Sequence, residues 1–328
     1  MRSAVEWAER HQVALYLGAI AAGVSVGLLV PGLAHALELA IAPVLGLLLY
    51  ATFLGVPFTK LGAAFRDGRF LVTVLVLNFV LVPALVFGLS RFVAADQALL
   101  VGVLFVLLTP CVDYVIVFTG LAGGARERLL AATPLLMVLQ ILLLPLYLTV
   151  MAGAEVLAVF DIGPFVEAFL LLIVLPLAAA ALTQLAARRF AVARWLEQVF
   201  LAAMVPLMML TLAVVVGSQV AAVAGSLGPL LAVVPIFIAF VIVVAPLGAA
   251  TARSARLDTA GRRAVTFSGT TRNSLVVLPL ALALPPAFAL TPLVIVTQTL
   301  VELVAMVVMV AVVPRTIRAA RRPAPSEG

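Results

Sequence analysis

The sequence predicts an all-α polytopic membrane protein of about ten transmembrane helices. Three observations predict it: an apolar content that no water-facing surface tolerates, a series of apolar runs of spanning length, and a one-sided distribution of Lys and Arg. Of the 328 residues 65% are hydrophobic and 10% charged, where a soluble domain carries about 25% charged residues. Mean hydropathy is +1.30. About 20 apolar residues cross a bilayer, so ten spans fill the chain and leave no separate soluble domain. The net charge of +6 does not point to nucleic acid. The basic residues stand in short clusters between apolar runs, as membrane-flanking charges do, and aromatic residues for stacking on bases are few.

Taken in order, the apolar runs are 12–30, 37–58, 70–90, 97–120, 129–151, 164–187, 195–218, 229–251, 263–284 and 289–313. Pro31-Gly32 and Pro285-Pro286 supply turn chemistry between runs. Pro43, Pro83, Pro145, Pro206 and Pro235 fall inside runs, where neighbouring helices can satisfy the carbonyls that proline frees. The segment before the first run has charges of both signs and no small-residue cleavage site after it, so that run reads as a retained span. The single cysteine, Cys111, excludes an intrachain disulfide framework.

Loop charge supports the count. With ten spans, one side of the membrane receives both termini and the even-numbered loops, and with them 18 of the 20 Lys and Arg. The other side has Arg91, together with acidic Asp96, Glu155 and Asp161; Arg272 lies inside a span. This bias predicts both termini in the cytoplasm of a bacterial-type inner membrane.

The two halves echo each other. Spans four and nine are both interrupted by polar clusters, around Thr109-Pro110-Cys111 and from Ser268 to Ser274, at an offset of about 162 residues. The same offset sets Glu302 opposite Gln140. Five helices per half is odd, so the second half must enter the membrane inverted. The expected organisation is residues 1–153 as the first repeat, 154–315 as the second, and 316–328 as a basic cytoplasmic tail. Interrupted helices at corresponding positions of inverted halves mark a transporter's binding site.

Proline at 110 removes a backbone donor and drives Thr109 from helical geometry, so the helix should unwind there or at least kink. Unwinding turns the positive end of the restarting half-helix inward and frees carbonyls for a cation. Cys111 is either a small buried hydrophobe or a soft ligand for a metalloid, held transiently because one thiolate cannot form a cage. Asp113 and Arg272 are costly inside a membrane. They either pair with each other, or Asp113 exchanges a proton while Arg272 biases the site toward anions or the Cys111 thiolate. Glu302 has Gln298 one turn earlier on its face; it either relays protons or sits neutral and hydrogen-bonded. Gln140 and Asn78 can serve as interhelical glue. Thr270, Thr271, Asn273 and Ser274 offer neutral oxygens to a cation or a hydroxylated solute. Nothing points to an enzyme or a cofactor. His11 and His35 lie at span ends and form no nucleophile–base pair with Cys111, and no phosphate-binding loop occurs.

Pro110-Cys111, followed by Val115, Val117 and Leu121-Ala122-Gly123-Gly124, resembles the fourth-helix motif of arsenite efflux permeases, the third arsenical-resistance family of the bile acid:sodium symporter superfamily. The resemblance implies ten helices, inverted five-helix repeats, two broken helices that cross, and an essential cysteine at 111. The permeases follow their Asn-rich ninth-helix break with a proton-carrying glutamate; here Asn273 fits the break, Leu275 stands near the glutamate's place and Arg272 is an addition. The sodium symporters carry a glutamate where this chain has Phe267-Ser268-Gly269. Asp113 or Glu302 is then the candidate proton carrier. The leading expectation is arsenite efflux by proton antiport, with Cys111 touching the metalloid. The alternative is a sodium-coupled importer of a small organic anion held by Arg272. A non-transporting sensor or scaffold has no use for broken helices and buried charge.

Overall fold

The computed structural model describes residues 2–55, 67–112, 114–153, 167 and 170–318, and apart from one isolated β-bridge their regular structure is helical. Six stretches are helical, long and apolar enough to cross a membrane: Pro31–Gly55, Gly68–Val93, Arg126–Ala152, Met204–Ala221, Leu227–Ser254 and Pro286–Thr316. Shorter apolar helices cover Ala14–Leu29, Gln97–Leu107 and Leu175–Ala187. The chain is therefore a multi-pass membrane protein.

Helix α1 (Arg2–Leu29) leads through a turn at Pro31–Leu33 into α2 (Ala34–Gly55). The next crossing begins with α3 (Gly68–Val76), whose N-cap Asp67 accepts from the Phe70 amide at 3.1 Å. A π-helical turn at Leu77–Leu81 joins it to α4 (Val82–Ser90). Pro83 has no N–H to give to the Phe79 carbonyl one turn back, and Tyr147 supplies the missing donor, its hydroxyl standing 2.6 Å away. The π turn and its proline are thus stabilised from α7 (Arg126–Ala152).

Between these come α5 (Gln97–Leu107), capped by Asp96, and α6 (Tyr114–Leu121). A π turn at Leu170–Val174 opens α8 (Leu175–Ala187), followed by α9 (Ala191–Ala202), α10 (Met204–Gly225) and α11 (Leu227–Ser254). Asp258 caps α12 (Thr259–Thr270), which is followed by α13 (Ser274–Leu282) and α14 (Leu290–Thr316). The expected junction of the halves at 153/154 and most of the tail lie outside the described residues.

The run 195–218 is not a single helix: the chain breaks at Ala203 between α9 and α10. Charged Arg194 and Glu197 fall among apolar residues at helical spacing, which makes α9 amphipathic rather than hydrophobic all round. None of its residues is buried, and Trp195 is 61% exposed.

Two close packings hold the bundle. Gly23 and Gly27 of α1 lie directly against α10: a Cβ on Gly27 would meet the Gly217 carbonyl oxygen at 2.3 Å, and one on Gly23 the Ala213 oxygen at 2.7 Å. Small residues permit this approach where lipid gives no hydrophobic drive between helices. The other is central. In α5 every residue from Ala98 to Leu107 is buried, so this helix is surrounded by protein on all sides. A Cβ on Gly102 would lie 2.7 Å from Val294 of α14, and the Thr291 hydroxyl donates to the Ala98 carbonyl at 2.8 Å.

Candidate functional site

The two interrupted helices meet at their breaks. The helix α5 ends at Leu107 and restarts as α6 at Tyr114; α12 ends at Thr270 and restarts as α13 at Ser274. Between them Pro110 and Arg272 form an antiparallel bridge. The Cys111 amide donates to the Thr271 carbonyl at 3.1 Å, and the Asn273 amide donates to the Thr109 carbonyl at 2.8 Å. The unwound segments thereby satisfy in each other the groups that their helices leave orphaned.

Local sequence prepares both breaks alike. Thr109 and Thr271 each donate a hydroxyl to the carbonyl four residues back, Phe105 and Phe267, at 2.9 and 2.8 Å. Thr270 does the same to Thr266 at 2.9 Å. These back-bonds compete with helix continuation and favour its end. Thr270 and Thr271, expected to offer oxygens to a cation or solute, and Thr109, a further candidate for contact with the solute, are thus first of all caps on α12 and α5.

Arg272 is fully buried. Its Nη2 donates to Asn78 Oδ1 and the Ser268 carbonyl, both at 2.8 Å, and to the Gly269 carbonyl at 2.5 Å; its Nη1 donates to the Leu107 carbonyl at 3.2 Å. The guanidinium carbon lies 5.4 Å from the Phe240 ring centroid, within cation–π range. The C-terminal ends of α5 and α12 both point carbonyls at this cation, the favourable sense for a helix dipole. Asn78 is fixed in turn by donating to Ser268 Oγ at 3.0 Å. Asp113, the expected partner of Arg272, lies outside the described residues.

Glu302 is 1% exposed and gathers three donors. The Arg272 backbone amide reaches Oε2 at 2.8 Å, Gln298 Nε2 reaches it at 2.5 Å, and the Tyr114 hydroxyl reaches Oε1. That hydroxyl also lies 3.0 Å from the Arg272 carbonyl oxygen. One proton therefore faces two acceptors. Sequence reasoning placed Gln298 beside Glu302 correctly but missed Tyr114 and gave Asn78 only a packing role. The signal for Tyr114 was available, because its hydroxyl stands in the same break as Cys111.

Several buried polar atoms at or near the crossing have no hydrogen-bond partner: Arg272 Nε, both amide atoms of Asn273, Ser274 Oγ and Gln298 Oε1, and on α7 both amide atoms of Gln140. Asn273 and Ser274 stand at the N-terminus of α13, where amides and dipole favour an electronegative guest. Cys111 is fully buried, one residue from the bridge. The structure thus brings Thr109, Cys111, Thr270, Thr271, Arg272, Asn273, Gln298 and Glu302 together through this one crossing and its direct hydrogen bonds, with Ser274 next in the chain. It places Gln140 on a neighbouring helix with no such bond to them. Among the described residues no group of three or more His, Cys, Asp or Glu could hold a metal ion.

A bundle of long apolar helices around two broken ones, with buried charge at their meeting point, defines a membrane transporter of the gradient-driven class. The chain belongs to the Sodium Bile acid symporter family, whose model matches residues 42–227. That match takes in the first break and stops short of the second, so Arg272 and Glu302 lie beyond it. A comparison with curated proteins returns no match.

Proposed function

We propose that the protein is a proton-coupled carrier that exports arsenite or a similar trivalent metalloid hydroxide. The observation that carries this reading is the link between the only cysteine and a buried carboxylate. Cys111 adjoins the bridge residue Pro110, and the bridge partner Arg272 donates its amide to Glu302. A soft-ligand residue and a proton-exchanging group thus share one crossing.

At Cys111 the thiol exchanges with one As–OH group, forming an As–S bond and releasing water; the reverse step frees the cargo without any redox change. The unpartnered oxygens and amides of Asn273 and Ser274 suit the remaining hydroxyls. Proton coupling falls to Glu302. When it is ionised, the Tyr114 hydroxyl donates to it. When it is protonated, Glu302 donates to Tyr114, whose own proton turns to the Arg272 carbonyl. Both states keep the Tyr114 hydroxyl bonded to Glu302 without a heavy-atom shift. Asp113 is a second candidate carrier on sequence grounds.

The equal offset of 162 residues between Pro110 and Arg272, Thr109 and Thr271, and Phe105 and Phe267 supports two inverted five-helix repeats across ten spans, with the termini cytoplasmic. The sodium-coupled anion importer has the family's name on its side, but it needs a free Arg272, whose Nη groups are engaged by four oxygens.

Inside-out vesicles decide the matter. Arsenite uptake driven by a pH gradient and lost in Cys111→Ser and Glu302→Gln is the expected result. Absence of arsenite movement under either a proton or a sodium gradient sinks the metalloid reading and leaves the anion importer.

A further inference from the structure

The oxygens around Arg272 are an unusual set for a guanidinium. They are three main-chain carbonyls and one amide oxygen, all neutral, and among the described residues Arg272 makes no ion pair with a carboxylate. Two of the carbonyls, Ser268 and Gly269, lie in the last turn of α12, and Leu107 ends α5. Helix C-termini leave such carbonyls without amide partners and carry partial negative charge. Neutral oxygens converging from two helix ends are the ligand set that replaces the hydration shell of a hard monovalent cation.

We infer that the Arg272 guanidinium is a tethered cation occupying what would otherwise be an alkali-cation site at the helix crossing, so that this member of a sodium symporter family works without sodium there. The inference builds on the reading of the crossing as the ion-coupling centre of a carrier. It makes Arg272 a determinant of which ion is used: with one positive charge covalently fixed between the two helix ends, coupling is left to the carboxylate that accepts its backbone amide. Without that charge, two negative helix ends face each other in a buried place, and an outside cation is the remedy. The Phe240 ring suits the flat guanidinium but gives a hydrated alkali ion no oxygen, so the emptied site takes Asn78 Oδ1, the three carbonyls and water.

The test needs no substrate, so it stands or falls apart from the metalloid reading. Purified protein is melted in sodium, lithium, potassium and choline chlorides at constant ionic strength. The wild type is expected to melt at one temperature in all four. Arg272→Gln melts lower in choline and regains roughly 3 °C in sodium at about tenfold its dissociation constant, while Arg272→Lys, which retains a charge, gains less than the Gln variant. A sodium-specific rise in the wild type overturns the inference, as does a folded Arg272→Gln indifferent to sodium. If Arg272→Gln folds in no salt, the wild-type comparison still decides: indifference upholds the tethered cation and sodium stabilisation overturns it.

Discussion

Pro110 and Arg272 face each other across the bridge, yet neither uses its own backbone N–H in the pairing; the two hydrogen bonds are donated by Cys111 and Asn273. A proline is therefore admissible on one side. On the other, the Arg272 amide is released to bind Glu302 at 2.8 Å. Two residues in equivalent places thus have opposite uses: one has no donor to give, and the other gives its donor to the carboxylate.

Glu302→Gln keeps the size of the side chain and one acceptor oxygen but cannot exchange a proton. Transport driven by a pH gradient is expected to fall to the level of empty vesicles, while the protein still purifies as a monodisperse species. Retained coupling in this variant would move the proton role to Asp113.

Tyr114→Phe removes the donor to Glu302 Oε1 and leaves the Arg272 carbonyl without that hydroxyl. Loss of a hydrogen bond to a buried charged group costs about 1–3 kcal/mol. Unfolding in denaturant should report that loss. Proton-driven uptake should slow more than cargo exchange at equal pH, because only the former requires the hydroxyl to turn.

Asn78→Leu withdraws an acceptor from Arg272 Nη2, and Ser268→Ala withdraws the acceptor that fixes Asn78. We expect the first to cost about 2–3 kcal/mol and the second about 1. A double-mutant cycle should show the pair to be non-additive, since both act on one network.

Gly27→Leu forces a side chain into the Gly217 backbone and Val220. Overpacking of this kind costs about 1–3 kcal/mol or more. Its melting temperature should fall clearly, whereas Gly18→Leu, with nothing within 4 Å of a Cβ, should leave it nearly unchanged.

Much of this was legible in the sequence, and the rest was hidden for specific reasons. The break at Pro110 could be read because proline is a local cause, and the break at 268–274 because seven polar or small residues interrupt an apolar run. Glu302 and Gln298 could be paired by helical spacing alone. The long-range partners were not readable: Asn78 meets Ser268 and Arg272 from 190 and 194 residues away, and no local pattern encodes that. Tyr114 closes the same broken run, but nothing local gives its hydroxyl a carboxylate partner 188 residues away. The break at Ala203 was missed because 195–218 is apolar on average; only the placement of Arg194 and Glu197 separates a surface helix from a span.

The bridge is made wholly of main-chain atoms, with Thr109 and Thr271 as acceptors and Cys111 and Asn273 as donors. Its strength does not depend on which side chains those residues carry, provided none of the two donors becomes proline. On the proposed reading, cargo preference can be altered at positions 111 and 273 while the main-chain pairing of the two breaks stays in place. A library of small, uncharged side chains at those two buried positions should yield folded proteins, with Cys111→Pro and Asn273→Pro as its silent members.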